Sequence, residues 1–473
     1  MMKKILLILL TITTLRVIGQ NLPATQNQWE YSEVTINGIN GISLNRYIGE
    51  LNQNDQYINI PNSIDSKPVI ALCYMSKTNY MRRLVGRSSD SDALWSPLSG
   101  LFGQNKTTPN TNVREVNALN ANILHVGPYT FSYCQNRNTS ISLTNNVKEI
   151  MPFAFSGSEI VNFNFPTSLE YLGAYTFYNC KELAYASPIP STVTRIELGT
   201  FYGCVDLITS ISHLVHENIE YIGSYAFKNC TSLEGTLTLP KQLDQINDGV
   251  FDNCSKISVG SQMPQSLKFI ERRAFAESKS YTKNLIFNEG LINIADSAFY
   301  RKWYQDNGRE IETIVFPSSL NSIESCAFRG TSSNLQTIHI HALTPPVVTG
   351  KKTFDESSYR NTTLYVPQGT LTKYKEATIW KEFNNIEEIN SKSTSVKSKR
   401  NDIYSIISNG NRILFKNPSS MKRISVYDIL GNIIYQSEKI DNELKINTNN
   451  NKIFILMIET NDGNMYKDKF RMN

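Results

Sequence analysis

Large apolar residues recur through the middle of this chain with a period near 24 residues. Phenylalanine stands at Phe131, Phe155, Phe177, Phe201, Phe227, Phe251, Phe275, Phe299 and Phe328, at spacings of 24, 22, 24, 26, 24, 24, 24 and 29. Five residues before each lies an aliphatic side chain, from Val126 and Ile150 to Ile294 and Ile323. Eight before lies another, from Ile123 and Val147 to Leu291 and Leu320. The residue directly before each phenylalanine is Thr, Ala or Val, so bulk is excluded there. Proline often stands eleven before (Pro166, Pro190, Pro240, Pro264, Pro317), where a chain leaving a short strand must stop pairing and turn. No unit of this length buries three large apolar groups alone, so each unit is one coil of a stack. Each phenylalanine then packs on its neighbours in an apolar ladder, worth about 1.5–3 kcal/mol per buried side chain before entropy.

Period-two alternation in Asn162-Phe163-Asn164-Phe165-Pro166 and Thr236-Leu237-Thr238-Leu239-Pro240 predicts one short strand per coil with one face outward. Stacked, these strands form a parallel sheet along the solenoid. Gly223-Ser224-Tyr225-Ala226-Phe227-Lys228-Asn229-Cys230 is too short for a regular helix and predicts a tight turn on the opposite wall.

The run Asn218-Ile219-Glu220-Tyr221-Ile222-Gly223-Ser224-Tyr225-Ala226-Phe227-Lys228-Asn229-Cys230-Thr231-Ser232-Leu233, with the following strand and Pro240, resembles the leucine-rich repeat of the BspA family of bacterial surface proteins. The resemblance covers roughly residues 40–345 in nine copies. It implies a curved, right-handed β-rich leucine-rich repeat solenoid of short strands and tight turns, exported to the cell surface or medium and adhesive toward host matrix proteins or other microbes. One unit is two residues short, the next but one two long, and residues 301–310 are inserted before the last.

Outside the regular array, about residues 113–341, the pattern changes. Tyr57-Ile58-Asn59-Ile60-Pro61 and Lys67-Pro68-Val69-Ile70-Ala71-Leu72 predict an atypical first coil that caps the stack. Residues 74–112 break the period. They are expected as a flap whose aromatics close over adjacent coils, or else as a partner-binding loop, with Trp95 and Phe102 as its anchors. After Phe328 the period decays, and Phe354, Tyr374, Ala377, Trp380 and Phe383, the last four at helical spacing, predict a C-terminal cap over 342–390. Residues 391–400 lack apolar anchors beyond Val396 and form a basic tether. From 401 to 473, short alternating strands and the turns Gly431-Asn432 and Asp462-Gly463 predict a small β-sandwich. Asn417-Pro418, the run Val426-Tyr427-Asp428-Ile429-Leu430-Gly431-Asn432-Ile433-Ile434-Tyr435 and a lysine-bearing last strand resemble the C-terminal sorting domain of the type IX secretion system. This resemblance implies that 401–473 engages secretion machinery and that the solenoid, 20–390, is its cargo.

Met1-Met2-Lys3-Lys4 followed by Ile5 to Ile12 reads as a signal peptide over 1–19, cleaved after Gly19, its apolar run too short for a permanent transmembrane helix. No later window approaches 18 consecutive apolar residues, so no transmembrane segment is expected. Lys+Arg 47 against Asp+Glu 42 gives +5. Removing the leader, with Lys3, Lys4 and Arg16 and no acid, leaves +2, and the tether alone carries +4. The basicity therefore sits in leader and tether, and leaves no footprint for nucleic acid.

Candidate chemistry is sparse. Cys134, Cys180, Cys204, Cys230 and Cys254 each follow a repeat phenylalanine by three residues, in a column shared with Ser158 and Ser278, so they are expected as small buried thiols. His339-Ile340-His341 lacks a nearby third metal ligand, and Gly350-Lys351-Lys352-Thr353 lacks the upstream glycine of a phosphate loop. The expectation is a secreted or cell-surface, non-catalytic protein without cofactor or metal that binds a protein or other cell-surface macromolecule. Tyr221 and Tyr225 are candidate anchors on the array. A passive surface repeat protein is the alternative, drawing on the lack of a conspicuous aromatic stripe; an enzyme hidden in 74–112 is the least favoured.

Overall fold

The computed structural model describes residues 28–48, 57–75, 101, 110, 113–136, 139–259, 263–278, 280–281, 283–302, 311–389, 404–407, 412–415, 418–428, 433–446, 452–461 and 465–472. The leader, the tether, Trp95, Phe102 and the turns at 431–432 and 462–463 lie outside the described residues, as does most of 301–310. The chain divides into two compact units, one ending at Glu387 and the other covering Glu388–Asn473.

The coil around Phe227 shows how the first unit is built. Ile219 points inward, and Tyr221–Ile222 forms a two-residue strand with Ile222 buried. A turn over 224–229 carries Phe227 into the core, and Leu233 leads into a second strand, Glu234–Leu237, that ends before Pro240. Stacking such coils makes three walls: two parallel β-ladders and a wall of turns. The first ladder includes Lys67–Leu72, His125–Val126, Glu149–Ile150 and Tyr171–Leu172, then Arg195–Ile196 beside Tyr221–Ile222, then Gln245–Ile246 through Val347–Val348. The second runs in segments from Tyr57–Asn59 to Thr363–Val366. The sequence predicts only the second, because a two-residue strand is too short to show alternation. The unit of 26 residues takes up its extra length as one helical turn, Ile211–Leu214, that buries Ile211 and Leu214.

The nine repeat phenylalanines are fully buried, and their rings stack on one another at 5.2–5.6 Å between centroids. The column runs on to Phe354, 5.5 Å from Phe328, so the stack gains a coil after 341, completed by Val347–Val348 and Thr363–Val366. At the other end, Leu101 holds the phenylalanine place of a preceding coil: its amide donates to the Thr130 carbonyl as Phe131's does to that of Ala154. Part of the 74–112 segment is thus core, and Leu101 and the nine repeat phenylalanines plus Phe354 make eleven rungs.

The turn wall has a hydrogen-bonded ladder of its own. Amides of Tyr225, Phe227 and Asn229 donate to the carbonyls of Asp248, Val250 and Asp252 on the next coil at 2.8, 3.0 and 2.8 Å. Between them, Ala226, Lys228 and Cys230 donate back within the turn to Gly223, Tyr225 and Phe227. This division needs two left-handed residues per turn, here Tyr225 (φ 59°) and Asn229 (φ 63°). Equivalent positions are often Gly or Asn (Gly199, Gly203, Asn179, Asn253), which tolerate that backbone at least cost.

The described cysteines are free thiols. Cys180, Cys204, Cys230 and Cys254 are buried, and each Sγ donates at 3.0–3.1 Å to the phenylalanine carbonyl of the preceding coil. Burial pushes the Cys180 thiol up to about 12 and raises those of Cys204, Cys230 and Cys254 as well, so each stays a neutral donor.

Both ends of the stack are closed. An antiparallel hairpin of Trp29–Ile36 and Ile39–Tyr47, not foreseen from the sequence, pairs with Lys67–Leu72. At the far end the chain does not form the one helix that the spacing of Tyr374 to Phe383 predicts. A helix, Leu371–Glu376, breaks at Ala377, Ile379 takes φ 73°, and Trp380–Glu382 forms a 3-10 turn. The break lets Tyr374 Oη and Trp380 Nε1 donate to the carbonyls of Ala342 and Pro346, both at 2.7 Å.

In the second unit, Tyr404–Ile407, Arg412–Phe415 and Glu443–Lys445 form one antiparallel sheet. Ile433–Ser437, Met421–Asp428, Lys452–Thr460 and Met465–Met472 form another. Ile413 and Phe415 from the first sheet share an apolar cluster with Ile424, Val426, Phe454, Leu456 and Ile458 from the second.

Candidate functional site

The left-handed backbone of the turns decides what the third wall shows. Two residues before the ladder phenylalanines stand Tyr129, Phe153, Tyr175, Gly199, Tyr225 and Gly249; one after stand Tyr178, Tyr202, Lys228 and Asp252. Tyr129, Phe153 and Tyr175 stack at 5.0 Å per step, and Tyr178 and Tyr202 lie 5.2 Å apart. The glycines make room for the rings. A Cβ on Gly199 would sit 2.3 Å from the Tyr175 ring, and one on Gly249 2.7 Å from that of Tyr225, so each tyrosine lies along the wall over the next coil's glycine. An aromatic stripe therefore exists, on the turn wall, against the expectation that none is conspicuous.

Cations close one side of it. Asp252 is 2% exposed at its side chain and pairs with Lys228 Nζ at 3.1 Å, while Arg273 grips it with Nε and Nη2 at 3.0 and 2.9 Å. Fixed by that carboxylate, Lys228 stands over the rings of Tyr225 and Tyr202 at 5.3 and 5.9 Å, and Arg273 over Tyr300 at 5.9 Å. The Asp252 hydrogen bonds raise the Arg273 guanidinium further above its ordinary value. Burial, with Tyr178, Tyr225 and Tyr202 adding to it, raises the Tyr175 hydroxyl, which remains a neutral hydrogen-bond donor. Tyr175, Tyr178, Tyr202, Tyr225, Lys228, Arg272 and Arg273 line a groove of about 300 Å³. Farther along the same wall, Arg329, Lys351, Lys352 and Arg360, with Glu356, Tyr359 and Glu382, surround a cavity of about 610 Å³ against the cap. The Gly350–Thr353 run, discarded as a phosphate loop, supplies two of these cations.

Of the candidate anchors, Tyr225 lies in the groove. Tyr221 sits in the first ladder instead, its ring under the Arg195 guanidinium at 4.0 Å. Tyr175, Tyr178, Tyr202 and the three cations are missed by the sequence reading, although their columns stand at fixed offsets from the phenylalanines. His339 stacks on Tyr365 at 4.8 Å, and among the described residues no cluster of three His, Cys, Asp or Glu side chains could hold a metal. Among those residues no helix is long and apolar enough to cross a membrane.

Several solved structures match this chain along most of its length. A leucine-rich repeat protein from Bacteroides ovatus is 16% identical over 77% of this chain and 98% of its own, with a TM-score of 0.38. A leucine rich cell surface protein from Faecalibacterium prausnitzii is 18% identical over 79% of this chain and 96% of its own, TM-score 0.35. The pneumococcal vaccine antigen PcpA is 16% identical over 78% and 99%, TM-score 0.35. No curated protein sequence matches the chain. The family model for the BspA type leucine rich repeat region matches residues 105–234, 208–307 and 302–453, which together cover most of the chain. With its stacked coils and its phenylalanine ladder, the chain belongs to the BspA-type leucine-rich repeat family.

Proposed function

We propose that this is a secreted or cell-surface protein whose solenoid binds a protein or other cell-surface macromolecule on its turn wall, performs no chemistry, and so serves adhesion to host matrix or other cells. The observation that carries this reading is the groove of four tyrosines and three cations, held in place by the phenylalanine ladder beneath and by the buried Asp252. Tyrosine and arginine in fixed positions are the side chains that most often dominate binding energy at interfaces. Eleven coils at about 4.8 Å each give a wall roughly 50 Å long, ample for a standard interface of about 800 Å² per partner. The family and the cell-surface description of the Faecalibacterium neighbour support the location. Deleting residues 202–251 joins Phe201 to Asp252 in register and removes Tyr202, Tyr225 and Lys228. Solid-phase binding to a panel of matrix proteins and microbial surfaces should fall while the shortened array still unfolds cooperatively. Unchanged binding, with loss on excising 76–100 instead, would move the site to the insertion; no binding by the intact chain would leave a passive repeat protein.

The C-terminal unit is read as a small β-sandwich that acts as a type IX sorting domain. Its two sheets around one apolar cluster support the sandwich, and the Val426 to Tyr435 run supports the sorting role. Deleting residues 401–473 should leave the solenoid folded and abolish export. A truncated chain that still reached the outer surface of its native host would reject the sorting role.

A further inference from the structure

We propose that the tyrosine groove of the turn wall binds a linear anionic polysaccharide, its sugar rings lying on Tyr202 and Tyr225 and its carboxylates or sulfates meeting Lys228, Arg272 and Arg273; this rests on the turn wall being the binding surface.

Three observations single out this ligand class. First, the wall has no backbone groups to lend. The amides of its turns are spent within the turn or on the next coil, so an extended peptide finds no strand edge there and recognition must come from side chains. Second, those side chains are flat rings laid along the wall. Tyr175 and Tyr225, two coils apart, each lie against the glycine of the following coil. Phe153 already stacks on Tyr175, so it is the hydroxyl-bearing edges of the rings, with Tyr202 and Tyr225 beside Lys228, that suit a pyranose, which presents one apolar C–H face and a hydroxylated rim. Third, the charge is unbalanced. Lys228, Arg272 and Arg273 line the groove with no carboxylate among its lining residues; Asp252 is buried beneath them in ion pairs with Lys228 and Arg273, and Glu277 also acts on Arg273. Positive charge recurs along the wall at Arg329, Lys351, Lys352 and Arg360, which outnumber the three carboxylates of that cavity, Asp355, Glu356 and Glu382, the last pairing with Lys351 at 3.7 Å. Two basic grooves on one wall, with the coil around Phe299 between them, match a polymer that repeats its charge and not a single small anion. Lys and Arg supply the charge-assisted bonds, and the fork of Arg273 is fixed before any ligand arrives.

The test uses the mature full-length chain and four probes in titration calorimetry: hyaluronan, chondroitin sulfate, uncharged dextran and polyglutamate. Hyaluronan or chondroitin sulfate should bind, more weakly as salt rises, and dextran should not. Tyr202→Ala and Arg272→Ala should each weaken binding by about fivefold and together by more than tenfold. Arg272 is exposed, so R272A should leave the thermal midpoint unchanged, which keeps the result readable if Y202A is destabilised. Polyglutamate binding as tightly as the polysaccharides would assign the groove to acidic proteins, overturning the ligand class while leaving the wall as the binding surface. Binding unaffected by both substitutions, or no binding of any polyanion, overturns the proposal; the 202–251 deletion reports separately on whether the wall binds anything.

Discussion

Replacing Phe227 by alanine should lower the stability of the solenoid by about 3–5 kcal/mol, the range for removing a buried aromatic and leaving a cavity. The ring is fully buried between those of Phe201 and Phe251, at 5.4 and 5.6 Å, with planes within 4° of parallel on both sides. Its loss therefore removes two stacked contacts together with its burial from water. Collapse is unable to fill the gap, because the spacing to the next coil is fixed by the turn-wall bonds, including that from the Phe227 amide to Val250, and by the parallel pairing of Glu234–Leu237 with Lys256–Val259. Chemical denaturation, followed by ring-sensitive near-ultraviolet dichroism, should show the drop. A midpoint change no larger than that of the exposed Lys241→Ala would reject the ladder as the main source of stability.

Asp355→Ala should cost about 2–4 kcal/mol and fray the C-terminal coils first. In regular turns the residue after the ladder phenylalanine accepts a bond from the preceding coil through its carbonyl, as Asp252 does from Asn229. Asp355 holds that place after Phe354, but its carbonyl is taken by Ser358 at the start of the helix Glu356–Asn361. Its side chain takes over. The buried carboxylate accepts the Gly330 amide at 2.9 and 3.1 Å, the Ser332 amide at 3.1 Å and the Ser332 hydroxyl at 3.0 Å. Alanine would leave those amides buried without an acceptor. Asp355→Asn, which keeps one acceptor oxygen, should recover part of the loss. Hydrogen exchange at Gly330 and Ser332 measures this directly, and unaltered protection in Asp355→Ala would show that the carboxylate is not the cap.

The ladder was legible because one residue type fills one column, and a stack of identical coils repeats its core identically. Pairs such as Tyr221–Ile222 were not, since alternation needs more than two residues to declare itself. Leu101 was hidden by its distance of 30 residues from Phe131 and its change of residue type. The groove failed for a different reason. Tyr175, Tyr202 and Lys228 stand at visible offsets from the phenylalanines, but whether such positions face in or out depends on two left-handed residues per turn, and sequence alone does not show that Tyr225 takes φ 59°. Asp355 was opaque because its role is defined by a carbonyl that the next helix takes away.

The turn-wall bonds all run one way, from the amides of one coil to the carbonyls of the next. The solenoid is thus a polar filament with unlike ends, an acceptor-rich face at the first coil and a donor-rich face at the last. Two copies meeting like end to like end would set acceptor against acceptor, so uncontrolled assembly is open only head to tail. Leu101 and Asn110, whose amides donate to the carbonyls of Thr130 and Tyr133, cover the acceptors of the Phe131 coil, and Asp355 covers the Gly330 and Ser332 amides of the Phe328 coil. Covering the outermost regular turns in this way leaves fewer unpaired backbone groups for a second copy to meet head to tail.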